Sequence, residues 1–180
     1  MVQKSHLKGL VFAALFAALV AAVAPFKIPL GFTPVPITLQ TLVVLLSGAM
    51  LGSFYGAISM ILYVIVGILG LPVFAGGSSG FGVILGPTGG YLLSYFVAAF
   101  AVGKYIELRK KPTFVDYLIA MLFGTIIIYV MGAAQGMLVT GLSIDKILIG
   151  WVLPFIIGDT IKLIIAALIA SKVIIKQYMK

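Results

Sequence analysis

The chain has 180 residues, 63% hydrophobic and 9% charged, with 12 Lys and Arg against 4 Asp and Glu for a net charge of +8. A soluble domain of this length carries about 25% charged residues, so this chain belongs in a bilayer, where six apolar helices of about 20 residues leave only about 60 for ends and loops and exclude a separate soluble catalytic domain. The absence of cysteine and the confinement of the single histidine, His6, to the basic N-terminal segment exclude disulfides, thiolate metal sites and Cys nucleophiles, and the cation surplus reports topology, not a nucleic-acid partner.

Apolar runs bounded by Pro, Gly or charge predict six spans in one integral membrane domain over residues 1–180: 9–24, 38–52, 54–69, 89–106, 114–133 and 155–172. The first carries two stripes of small residues, Ala14, Ala18 and Ala22 beside Ala13, Ala17 and Ala21. Such faces let helices approach closely in lipid, either inside the bundle or, as the doubled stripe favours, against an external partner. Lys4, Lys8 and Ala22-Val23-Ala24 mimic a signal peptide, but small residues repeated along the whole segment favour a retained span. The loop 25–37 contains Pro25, Pro29, Pro34 and Pro36, which favour an extended rigid segment. Gly52-Ser53 then predicts a tight turn between the second and third spans, since 32 continuous residues overshoot a bilayer; the alternative is one long tilted helix.

The uncharged loop from Gly70 to Gly90 interleaves glycines with Phe74, Phe81, Val83, Ile84 and Leu85. Those side chains are costly to hold in water, and irregular backbone at membrane depth survives only where it lines a cavity, so the loop is expected to fold into the outer mouth as a lid. After the Glu107–Pro112 tether and the fifth span, Ser143 as N-cap, Asp145 in the first turn and Ile144, Ile147, Leu148 and Trp151 on one face predict a short interfacial helix. The sixth span begins near Pro154, with Trp151 marking the bilayer interface.

With the N-terminus cytoplasmic, the inside segments hold Lys4, Lys8, Lys104, Arg109, Lys110, Lys111, Lys172, Lys176 and Lys180, while the outside loops hold Lys27 and Lys146 and the last span holds Lys162. That asymmetry puts both termini inside and predicts an all-α six-helix bundle.

Asp159 and Lys162 share one face of the sixth span, about 6 to 11 Å below its start. Ionisable groups at that depth are expensive unless paired and facing a cavity, which makes them site candidates ahead of a structural ion pair. Gln40 offers an amide at similar depth, flanked by Thr38 and Thr41; its competing role is interhelical glue. Tyr91 opens the fourth span as a site residue or an interfacial anchor. No Walker A, His-Glu-x-x-His or Ser/His dyad pattern occurs, so no enzyme is expected.

The segments Pro34-Val-Pro-Ile-Thr-Leu-Gln40, Gly70-Leu-Pro-Val-Phe-Ala-Gly-Gly77, Gly86-Pro-Thr-Gly-Gly-Tyr91 and Pro154-Phe-Ile-Ile-Gly-Asp-Thr-Ile-Lys162 together resemble the BioY family, the biotin-specific S components of energy-coupling-factor (ECF) transporters. The resemblance implies a six-helix subunit of the cell membrane that captures biotin from outside, holds no cofactor, and works with a transmembrane coupling subunit and two ATP-binding subunits. It implies ureido contacts from Asp159, Lys162 and Gln40, and a lid bringing Phe74, Ser78, Ser79, Thr88 and Tyr91 to the rest of the ligand. It implies docking of the coupling subunit on the first helix, at Ala13, Ala14, Ala17, Ala18 and Ala22. Relatives can offer Asn or Arg to the carboxylate of biotin; here Lys27 is the nearest cation by topology. A cyclic urea has one acceptor and two donors, which matches Lys162 as donor and Asp159 and the Gln40 carbonyl as acceptors. The competing class is a small autonomous permease or channel-like homo-oligomer gated by the Asp159/Lys162 pair, and a membrane enzyme is the third.

Overall fold

Uninterrupted apolar sequence gives the helices, and Pro, Gly and charge end them. In the computed structural model, which describes residues 2–173 with side chains from His6 onward, α1 is Val2–Val23, α2 Gln40–Ile68, α3 Phe81–Leu85, α4 Gly89–Glu107, α5 Phe114–Thr140, α6 Ile144–Ile147 and α7 Ile156–Lys172. Lys176 and Lys180, expected on the inner side, lie outside the described residues, as does the side chain of Lys4. Among the described residues five helical stretches are long and apolar enough to cross a membrane, α6 and α7 counting as one.

The second stretch is folded back on itself. A straight helix would hold Gln40 and Tyr63 about 35 Å apart, yet Gln40 Nε2 donates to the Tyr63 hydroxyl at 2.6 Å. The reversal is at Gly52, whose φ of 84° and ψ of 179° lie in a region open essentially to glycine alone. The Glu107 carboxylate clamps the turn by accepting from the Ser53 N–H at 3.0 Å and the Ser53 hydroxyl at 2.7 Å. Gly56 then packs on the Gly48 backbone across the hairpin, and Gly48 on the Ala99 backbone of α4, neither with room for a Cβ.

The Pro-rich loop forms a two-stranded antiparallel ribbon, β1 (Lys27–Ile28) on β2 (Ile37–Thr38), with Lys27 opposite Thr38. Helix α5 runs seven residues beyond the expected end at 133, to Thr140, and stops at Gly141 in the left-handed conformation. Gly132 and Gly136 do not break it because they are notches that admit the rings of Tyr91 and Trp151.

That notch corrects the reading of Trp151 as an interface marker: its ring is buried against α5, and a turn of π-helix over Leu148–Val152 separates α6 from α7. The expected apolar face of α6 is also split. Ile147 and Trp151 point inward, whereas Ile144 and Leu148 are exposed. The lid divides likewise, with Phe74 and Ile84 buried and Phe81 and Leu85 on the outer surface.

The two alanine stripes of α1 lie on adjoining faces that meet different surroundings. Ala14, Ala18 and Ala22 are exposed, while Ala13 and Ala17 are buried with Phe16 and Val20 against the bundle. Ala13 and Ala17 are therefore internal packing residues and not part of an outward docking face, because the spacing of 13, 16, 17 and 20 is the stripe that a helix turns toward its neighbour.

At one end of the bundle, His6 Nδ1 of α1 lies 2.9 Å from the Tyr55 hydroxyl. Ser53 meets Glu107 there, and Ser171 and Val173 of the last helix line a cleft with Arg109, Lys110 and Lys111. The proline ribbon and the lid share the other end, joined by the Gly76 N–H donating to the Ala24 carbonyl at 3.2 Å.

Candidate functional site

The buried stripe of α7 reads Asp159, Leu163, Ala166, Ala167, Ala170, so a carboxylate occupies a position where the helical repeat calls for an apolar residue. A charge there must be paired and hydrogen-bonded. Asp159 Oδ1 takes the Lys162 ammonium at 2.7 Å and the Thr41 hydroxyl at 3.3 Å, and Oδ2 takes the Tyr129 hydroxyl at 2.6 Å. Three helices, α2, α5 and α7, thus converge on one carboxylate. With four lone-pair sites on a carboxylate and three N–H groups on an ammonium, both partners of the ion pair keep capacity for a ligand.

These groups form the floor of a cavity of about 220 Å³. Its walls are the rings of Tyr91, Tyr95, Phe155 and Phe74, with Leu92 and Ile128, and its rim includes Lys27, Ser78, Thr88 and the ribbon residues Pro34 to Pro36. Polar groups at one end, aromatic faces along the sides and a cation with hydroxyls at the rim suit an elongated small molecule with a hydrogen-bonding head and an anionic tail.

Of the residues expected at the site, Asp159, Lys162, Gln40, Tyr91, Phe74, Ser78 and Thr88 line this one cavity, and so does Lys27. Ser79 does not. Ser78 turns back to donate to the Ala75 carbonyl at 3.1 Å, while Ser79, part-buried in the next position, is outside the cavity lining. Tyr91 is not an interfacial anchor: its hydroxyl donates to the buried Trp151 carbonyl at 2.8 Å, which leaves the ring as a cavity wall.

Sequence reasoning missed Tyr63, Tyr95, Tyr129 and Gln135. Tyr95 lies four residues after Tyr91 on the same helix face, so its place was readable from spacing. Tyr129 and Tyr63 were readable only as hydroxyls inside apolar helices, a feature shared with interfacial tyrosines. Gln135 holds the lid from α5, donating to the carbonyls of Ile84 at 2.6 Å and Gly86 at 2.8 Å. Its partners lie about 50 residues away in the chain, and only the fold reveals them.

Comparison with known proteins gives a consistent result. The model of the BioY family matches residues 1–177. "Biotin transporter BioY" of Thermotoga maritima is 42% identical over 166 residues, 92% of this chain and 95% of that protein. "Probable biotin transporter BioY" of Pyrococcus horikoshii is 41% identical over 159 residues, 88% and 91% of the two chains. Among solved structures, the S-component for biotin from an ECF-type ABC transporter superposes with a TM-score of 0.89 over the whole of both chains at 31% identity.

Proposed function

The chain belongs to the BioY family, and from that premise we propose that it is the biotin-capturing S component of an ECF-type vitamin uptake transporter in the cell membrane. The observation that carries the reading is the buried Asp159–Lys162 pair on the cavity floor, supported by Thr41 and Tyr129, with Gln40 beside it. Lys162 donates to the ureido oxygen, while Asp159 and the Gln40 carbonyl accept the two ureido N–H groups. The aromatic walls cover the fused rings, and the tail runs toward the rim, where Lys27 faces the carboxylate. A site built this way rejects analogues that lack a ureido donor, because the unmatched acceptor stays buried and unpaired.

The same reading makes the folded-back α2 two crossings, for six in total, with the Gly52 turn, the Glu107–Pro112 loop and both chain ends on the cytoplasmic side. The ribbon and lid then face outward, where biotin arrives. The outward alanines Ala14, Ala18 and Ala22 receive a transmembrane coupling subunit, whose two ATP-binding subunits energise release inward. Binding calorimetry on the purified protein in detergent, with biotin and a panel of other vitamins, tests the assignment. Saturable binding of biotin alone is expected, and binding of a different vitamin in its place would overturn it.

A further inference from the structure

A side-chain amide such as that of Gln40 can present either its carbonyl or its NH2 to a cavity, and the two ends recognise opposite ligand groups. Here the choice is made by the lid. The Tyr63 hydroxyl lies 3.1 Å from the Val73 carbonyl, and a carbonyl only accepts, so the single phenolic hydrogen is committed to Val73. The phenolic oxygen can then only accept from Gln40, which it does from Nε2 at 2.6 Å. The Gln40 carbonyl is the end left for the cavity.

We propose that Tyr63 is a positioning residue that couples the seating of the lid to the polarity of the ligand site through the chain Val73–Tyr63–Gln40. The proposal rests on the assignment of the cavity to biotin. With the lid seated, Gln40 presents an acceptor to a ureido N–H; with Val73 withdrawn, the phenolic hydrogen is released and the amide is free to turn its donor inward. The rest of the anchorage is built around the same tyrosine. Phe74, the next residue of the lid, packs edge-on to the Tyr63 ring at 5.6 Å and fills the space above Gly67, whose carbonyl accepts from the Gly80 N–H at 2.8 Å. Tyr63 and Gln40 are both almost completely buried, so water does not substitute for either partner, and the polarity is set inside the protein.

The test uses the full chain in detergent and reads two quantities. One is hydrogen exchange of the lid amides, residues 72–80, without ligand; the other is the Kd for biotin in Tyr63→Phe, Gln40→Ala and the double variant. Tyr63→Phe is expected to speed ligand-free lid exchange about tenfold or more and to weaken biotin about tenfold. Gln40→Ala should then cost less than twofold in the Tyr63→Phe background, against about tenfold in the parent, because the amide has already lost its orientation. Unchanged lid exchange, or effects of the two substitutions that multiply, would overturn the coupling. Should Tyr63→Phe fail to fold, Gln40→Glu asks the same question. It sets a second acceptor in competition for the one phenolic hydrogen and should loosen the lid; an unchanged lid overturns the proposal. Lid exchange needs no ligand, so a parent that ignores biotin refutes the substrate and leaves the lid arm readable.

Discussion

At the scale of single residues, burial decides which charges matter. Asp159 and Lys162 sit at the floor with side-chain exposures of 8% and 12%, so removing one strands the other in a poor dielectric. Asp159→Ala is expected to weaken biotin binding by about 2–5 kcal/mol, since the ligand loses a charged acceptor and Lys162 its partner. Calorimetry on the folded variant checks this, and an unaltered Kd would make the pair structural. Lys27 is exposed at the rim, where water screens its charge and an ion pair contributes about 1 kcal/mol or less. Lys27→Ala should therefore weaken biotin no more than about fivefold and leave biotin amide, which has no carboxylate, unaffected. Equal losses for acid and amide would mean that Lys27 serves the lid and not the carboxylate. The pairing of Asp159 with Lys162 was legible from their i,i+3 spacing inside an apolar run. The contacts of Asp159 with Thr41 and Tyr129 were not, because those residues come from helices whose mutual rotation the local pattern leaves open.

At the scale of elements, α1 shows how one repeat serves two purposes. Ala13 and Ala17 pack inward while Ala14 and Ala18 look outward, so neighbouring substitutions should fail in different ways. Ala17→Trp forces a large ring into a filled interior and is expected to destabilise the protein by about 1–3 kcal/mol or more, visible as a lowered thermal midpoint in detergent. Ala18→Trp should keep that midpoint and biotin binding near normal, yet abolish co-purification with the coupling subunit and ATP-dependent uptake, since close helix contact in lipid depends on steric fit. Retained uptake in Ala18→Trp would move the docking face elsewhere. Both stripes were visible in the sequence as periodicities, but two stripes one residue apart are equivalent until a neighbour covers one of them. The same limit explains α5, where Gly132 and Gly136 look like helix breakers and are instead seats for Tyr91 and Trp151.

At the scale of the whole molecule, the distribution of cations and the two ends of the bundle make a joint prediction. The chain contains no cysteine, so single cysteines report position without interference. In intact cells, a membrane-impermeant maleimide is expected to label Gly31→Cys in the proline ribbon and to spare Lys111→Cys until the membrane is opened. Labelling of both from one side would overturn the six-crossing topology. By itself the sequence determined the membrane class, the places of the apolar runs, the reversal at Gly52 and the ionisable pair at the last helix. All of these follow from local quantities: hydropathy, backbone freedom and charge within a few residues. Tertiary structure alone decided which alanine stripe is buried, why Trp151 faces inward, and that Ser79 leaves the cavity while Tyr95 and Tyr129 enter it. It also decided that a carbonyl of the lid sets the amide of Gln40 through Tyr63. The physical reason is that hydrogen-bond direction and steric fit are properties of pairs, and these pairs are brought together by the rotation of each helix about its axis, which no single helix encodes.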